Sequence, residues 1–281
     1  MGAIAHWWGN RTTWQRVVIL LVVVWVIAAV IFVLTRGPGP QAGIFTIPLA
    51  GGDASFVTQG SSPAWSPDGD TILLTSEDEE GVPGIYAFPI GGSEATFVTN
   101  GKDPAWSPDG EAIAFAGEDD EGNISIYTID LGGGEAVFLT DGDSPAWSPN
   151  GSTIALGTSD DADNPGIYLF DLETTEVTFL TDGDEPSWSP DGSIIAFVGE
   201  NPEGGSDIYT IDMTTSEVTF ITGGDDPAWS PDGIMLALTG AAEVGTAIYI
   251  IEPGSDAVMI SQGGQPTWSP NGGQLAVVRD E

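Results

Sequence analysis

The stretch DSPAWSPNG, Asp143 to Gly151, sets a tryptophan between two prolines and ends on a turn dipeptide. Its meaning comes from recurrence. SPAWSPDG carries Trp65, DPAWSPDG Trp106, SPAWSPNG Trp147, EPSWSPDG Trp188, DPAWSPDG Trp229 and QPTWSPNG Trp268. The first five tryptophans stand 41 residues apart and the last follows after 39. Self-similarity at a fixed period marks one structural unit used six times.

Within the third period the text runs PAWSP, STIALGT, SDDADNPG, IYLFDL, ETTE and VTFLTDG. Ile, Tyr, Phe, Thr and Val dominate short runs bounded by Gly, Asp and Pro, which reads as strands. SPDG and SPNG join the first two as tight turns, Pro presetting one backbone angle and Gly free to take positive φ. Four strands in about 40 residues, repeated, is the pattern of a β-propeller blade. IFTIPL from Ile44 and the later SFVT match third and fourth strands, whereas PTWSP and QLAVV near the C-terminus match first and second ones. Five internal blades and one shared blade therefore make six. The fold class is all-β: a six-bladed propeller of four-stranded blades over residues 44–281, closed by N- and C-terminal strands and preceded by a transmembrane α-helix.

That helix rests on VVILLVVVWVIAAVIFVL, Val17 to Leu34, an uninterrupted apolar run that includes Trp25. At about 1.5 Å per residue it reaches ~27 Å, close to a bilayer core. The expected layout is a cytoplasmic segment 1–16, a single membrane span 17–35, a Gly/Pro linker 36–43, and an extracytoplasmic propeller. A cleaved signal peptide competes with this reading, but its apolar region would be shorter and end in small residues. Arg11 and Arg16 before the span favour a cytoplasmic N-terminus, with Trp7, Trp8 and Trp14 as interfacial anchors. The alternative for these tryptophans is packing on a partner helix.

Charge divides at the same place. Residues 37–281 hold all 42 acids against Lys102 and Arg279 only, so nucleic-acid binding is excluded for want of phosphate contacts. There is no cysteine, and His6 is the sole histidine. Ser-His-Asp, Cys-His and His-based metal chemistry are thereby excluded from the propeller. Carboxylates remain. With strands alternating up and down, the second-to-third and fourth-to-first connections share one face, which collects more than half of the acids and also receives the linker. That face is expected to meet divalent cations or a basic partner rather than bare anionic lipid. Acidity as a plain solubility or salt adaptation is the other reading. Asn123-Ile-Ser and Asn150-Gly-Ser are glycosylation-type sequons that also fit ordinary turns.

PAWSPDG, IAF, IYTIDL and LTDG in succession resemble the repeat of the TolB-type, WD40-like propeller family, over Ile44 to Val278. The resemblance implies a tryptophan strand innermost in each blade, lining the central channel. It also implies several possible uses: binding platform, non-catalytic peptidase domain, or lyase or lactonase scaffold. These residues include neither the separate N-terminal domain of TolB nor a hydrolase domain. Asp103, Asp143, Asp184, Glu185, Asp225 and Asp226 would then gather around one channel mouth, oxygen-rich surroundings that suit Ca²⁺. Solvated turn residues explain the same letters. The expected function is a membrane-anchored protein-interaction or scaffold module, an accessory subunit beside integral membrane proteins and not an enzyme. The alternative is a cation-dependent enzyme or small-ligand binder using the channel mouth.

Overall fold

The computed structural model describes residues 42–119, 122–159, 165–201 and 204–279. They form six four-stranded antiparallel sheets. The shared blade consists of β1 (Gly43–Pro48), β2 (Ser55–Gln59) and, from the other end of the chain, β23 (Gly264–Trp268) and β24 (Gln274–Arg279). The first internal blade is β3 (Ser61–Trp65), β4 (Thr71–Glu77), β5 (Pro83–Pro89) and β6 (Thr96–Asn100). The second runs from β7 (Lys102–Trp106) to β10 (Val137–Asp141), the third from β11 (Asp143–Trp147) to β14 (Val177–Asp182), and the fourth from β15 (Asp184–Trp188) to β18 (Val218–Gly223). The fifth comprises β19 (Asp225–Trp229), β20 (Leu236–Ala241), β21 (Thr246–Ile251) and β22 (Val258–Gln262). Ring closure is a strand pairing: β1 lies on β24 from Gly43↔Arg279 to Pro48↔Gln274.

The second strand of each blade does not alternate at its centre but holds three consecutive buried apolar residues. Ile72, Leu73 and Leu74 are all buried, as are Ile113, Ala114 and Phe115. The reason is that each blade is covered on both faces by its neighbours, so both sides of the strand face protein. The cores accordingly lie between blades: Ala155 and Ile167 of the third pack with Ile195, Phe197 and Ile211 of the fourth. Trp188 joins that cluster, and Trp65, Trp106, Trp229 and Trp268 join the equivalent ones at other seams. Two indoles also bond across a seam, Trp106 Nε1 donating to Ala64 O at 3.1 Å and Trp268 Nε1 to Ala228 O at 3.0 Å.

The turn after each tryptophan contains more than Pro and Gly. Ser66 is buried, its hydroxyl donates to Asp68 Oδ1 at 2.6 Å, and it accepts from Thr71 N at 3.0 Å. Gly69, at φ 79°, completes the turn with its N–H on Ser66 O at 2.9 Å. The other five repeats do the same, with Asn150 and Asn271 replacing aspartate in two of them. The Ser193 backbone N–H, followed by the Ser193 and Ser189 hydroxyls, holds the Asp191 carboxyl down to about 2. Serine is thus the one buried polar residue the turn needs, because its single oxygen serves as donor to the carboxylate and acceptor from the next strand.

The apolar run Val17–Leu34, with Trp7, Trp8, Arg11, Trp14, Arg16 and Trp25, lies outside the described residues. Among the described residues no helix is long and apolar enough to cross a membrane. Ser189→Ala should lower stability by about 1–2 kcal/mol, since it strands a buried N–H and a carboxylate partner. Asp191→Asn should be nearly silent, because asparagine already fills that place in two repeats. Urea unfolding followed by tryptophan fluorescence measures both.

Candidate functional site

Each innermost strand begins after a glycine that no other residue could replace. Gly183 takes φ 134°, and a Cβ there would lie 2.6 Å from Val198 O. The strand then bulges: Asp184 pairs with Val198, but the next pair is Ser187↔Ala196. An extra residue in one strand forces a local bend. The residue at the bend adopts the left-handed conformation in all six blades, with φ between 47° and 52° at Ser62, Asp103, Ser144, Glu185, Asp226 and Gln265. None is glycine, so each holds a backbone strain that recurs sixfold at one place. With the proline that follows each of them, these residues line a cavity of about 290 Å³ at the channel mouth.

The bend also orients the backbone N–H toward the preceding blade. Asp226 N donates to Glu185 Oε2 at 2.8 Å, Gln265 N to Asp226 Oδ2 at 3.3 Å, and Ser62 N to Gln265 Oε1 at 2.9 Å. Ser62 Oγ continues the chain by donating to Asp103 Oδ1 at 2.7 Å. Thr239 Oγ1 accepts from Gln265 N and Thr75 Oγ1 from Asp103 N. The mouth therefore holds a linked arc from Glu185 through Asp226, Gln265 and Ser62 to Asp103, which crosses the closing seam between the shared and first blades.

The six acids expected at the mouth divide into two groups. Asp103, Glu185 and Asp226 reach it. Asp143 and Asp184 stand one residue earlier in the repeat and turn into a separate cavity of about 230 Å³ between blades, with Ile124, Gly157, Thr158 and Pro165. Gly157 makes room for them, because a Cβ there would run into the carboxylates of both Asp184 and Asp143. Asp225, at the head of β19, pairs with Thr239 and lines neither cavity. Strand alternation explains the split, since adjacent residues point to opposite sides. Among the described residues no group of three or more acids is placed to hold a metal ion, so the six carboxylates do not form the single Ca²⁺ cage the sequence suggested. Ser62, Ser144 and Gln265 belong to the mouth and were missed as uncharged. Their signal was positional, each being the residue before the strand's proline.

Burial pushes the Glu185 carboxyl up to about 7, repulsion from Asp226 adding to it and the Asp226 N–H opposing it. Asp226 is raised by burial as well, against hydrogen bonds from Thr239 and Gln265, and Asp143 by burial followed by repulsion from Asp184. Lys102 Nζ lies 3.6 Å from Asp103 Oδ2. The mouth thus concentrates negative charge that has little local compensation, an arrangement found at binding sites more often than on plain surface.

Comparison with known proteins agrees with this geometry. Residues 103–280 match the TolB beta propeller domain family. The putative TolB of Agrobacterium tumefaciens superposes with a TM-score of 0.75 at 25% identity, covering 86% of this chain and 98% of its own. TolB of Acinetobacter baumannii gives 0.67 at 21% identity, covering 90% and 68%. Oligogalacturonate lyase of Vibrio parahaemolyticus gives 0.55 at 13%, covering 75% and 72%, a likeness of fold alone. No curated protein matches.

Because Glu185 titrates near 4.5 when unfolded and about 7 when folded, its contribution to stability is complete below about pH 4.5 and lost as pH rises through 7. Glu185→Gln keeps the oxygen that accepts from Asp226. It should raise stability at pH 8 by roughly 2 kcal/mol, a figure reduced for partial exposure, and flatten the slope between pH 4.5 and 7.5 in urea titrations.

Proposed function

Since the chain belongs to the TolB beta propeller domain family, we propose that it is a protein-interaction module whose channel mouth receives a basic group of a partner polypeptide. The observation that carries this reading is the linked arc at the mouth, where three partly buried carboxylates line a cavity of about 290 Å³. A partner's lysine or arginine would supply the missing charge and exploit hydrogen-bond acceptors already held in place. The strain at six bends is consistent with a ring pre-organised for a contact. A propeller without histidine or cysteine in residues 42–281 suits recognition better than nucleophilic or zinc chemistry.

In the full proposal, residues 17–35 anchor the chain in a bilayer, the propeller lies outside the cytoplasm, and the partner is an integral membrane protein of which this chain is an accessory subunit. The apolar run and the charge break support the anchor. The linker leads to Gly43, at the end of β1 that pairs with Arg279 and Gln59, on the same side as the mouth. The partner contact and the tether then share one face. Ca²⁺ at the mouth, with ligand binding or catalysis through it, is the rival reading; it rests on the neighbouring Glu185 and Asp226, since no three acids of the described residues are placed to hold a metal ion.

Purification of the full chain in mild detergent should retain an integral membrane partner, tighter at pH 8 than at pH 5.5 because Glu185 ionises over that range. The variant Asp103→Asn/Glu185→Gln/Asp226→Asn should weaken that association about tenfold or more. Partner retention that ignores both pH and the triple variant would refute the reading. Tight Ca²⁺ uptake by a partner-free propeller, abolished by the same variant, would transfer the site to the rival.

A further inference from the structure

The fifth blade departs from the other five at the end of its third strand. In the others, the fifth residue after the buried isoleucine near the start of that strand (Ile44, Ile85, Ile126, Ile167 and Ile208) donates its backbone N–H to the turn between the first two strands: Leu49 N to Gly273 O, Ile90 N to Asp70 O, Leu131 N to Glu111 O, Leu172 N to Ser152 O and Met213 N to Ser193 O, all at 2.8–3.0 Å. The equivalent residue of the fifth blade is Pro253, which has no N–H to give. The ladder stops one pair early in consequence. It ends at Leu236↔Ile251, whereas the fourth blade continues to Ile194↔Asp212.

A second departure occurs on the same blade. Ile250 pairs with Val258, where the fourth, third, second, first and shared blades pair Thr210 with Thr219, Leu169 with Thr178, Thr128 with Val137, Ala87 with Thr96 and Thr46 with Ser55. Only the fifth blade is branched-aliphatic at both places. Beside this pair, at the seam with the shared blade, opens a cavity of about 800 Å³. Its walls include Leu49, Met235, Ile250, Val258 and Ile260, with Trp268 below them. The only polar atom of that indole is already bonded to Ala228 O. Met235 is 39% exposed and Val258 59%, which is apolar surface left open to solvent. The rim carries Asp232, Glu252 and Asp256. No lysine or arginine of the described residues shares this face, since Lys102 begins β7 and Arg279 ends β24 at the opposite end of their blades.

We propose that this seam is a second docking site, on the face away from the channel mouth, for a polypeptide segment that presents a large aliphatic side chain flanked by lysine or arginine. The aliphatic group fills the Met235–Ile250–Val258 wall, where burial of apolar surface supplies the affinity, and the flanking cations meet the three rim carboxylates, which set orientation and encounter rate. Pro253 contributes by keeping the turn and the loop apart. The two departures coincide in one blade of six, which a general adaptation to solubility would not require.

The test uses the full-length chain and three fluorescein-labelled hexapeptides, Lys-Arg-Leu-Leu-Arg-Lys, Lys-Arg-Ser-Ser-Arg-Lys and Glu-Ser-Leu-Leu-Ser-Glu, read by fluorescence anisotropy at physiological salt. The first should bind at least about tenfold more tightly than either other. Ile250→Thr/Val258→Thr, which restores the pair found in the fourth blade and should fold, is expected to abolish that preference, as is Met235→Lys at an exposed position. Glu185→Gln/Asp226→Asn at the mouth should leave it unchanged, so failure of this site and failure of the mouth are read separately. Equal binding of the serine peptide, indifference to both seam variants, or loss of binding in the mouth variant would each overturn the proposal.

Discussion

Apolar contact between neighbouring blades is the interaction on which everything else here depends. A four-stranded sheet of this size has two faces to cover and no helix to cover them, so it is stable only when flanked on both sides. That requirement places Ile72, Leu73 and Leu74 in consecutive buried positions and makes the chain close upon itself through β1 and β24. Closure also removes the end faces that an open stack would expose. The locked serine turns serve the same end, holding the first and second strands of each blade at the inner wall where six strands converge.

Close packing of the blades also constrains their aromatic rings. In every blade one member of a pair between the second and third strands is glycine, but the strand that carries it varies: Gly84 faces Ser76, Gly117 faces Ser125, Gly166 faces Thr158 and Gly199 faces Asp207. A Cβ at Gly84 would meet Tyr86 and Phe97 at 3.1 Å, and one at Gly199 would meet Tyr209 at 3.0 Å. The ring therefore needs one gap per blade and accepts it from either strand. The second strand supplies it in the second, fourth and fifth blades, and in the second and fourth the tyrosine stacks on Phe115 or Phe197. The repeat is conserved in volume rather than in letters.

Against that uniform frame, chemistry resides where the repeats differ. The bends at the mouth are sixfold in backbone, yet their side chains are three acids, two serines and a glutamine. An identical backbone with unlike side chains is a scaffold that leaves composition free, because the axis is the one place where a residue touches no neighbouring core. Glu185 and Asp226 illustrate the cost: adjacent around the ring and partly buried, they resist ionisation and so respond to pH and to any cation that approaches. The fifth blade breaks uniformity differently, through a backbone donor lost at Pro253 and an aliphatic pair at Ile250 and Val258.

The propeller, its six-fold count and the shared blade were legible in the sequence because each repeat states the same local preferences, and six concordant statements leave little room for another fold. The acid content of the mouth was half legible. Asp103, Glu185 and Asp226 could be counted toward it, but Asp143, Asp184 and Asp225 could not be told from them, since adjacent residues of a strand face opposite ways and which of them faces the axis depends on a bulged hydrogen-bond register that composition does not encode. Ser62, Ser144 and Gln265 were hidden because their role derives from a backbone angle rather than a charge. The seam cavity lay beyond sequence reasoning for a related cause: the missing donor at Pro253 matters only beside a ladder that ends early, and the walls that meet there come from two different blades. Periodic local pattern determined the architecture, whereas the direction of each side chain and the spaces between blades were decided by packing in three dimensions.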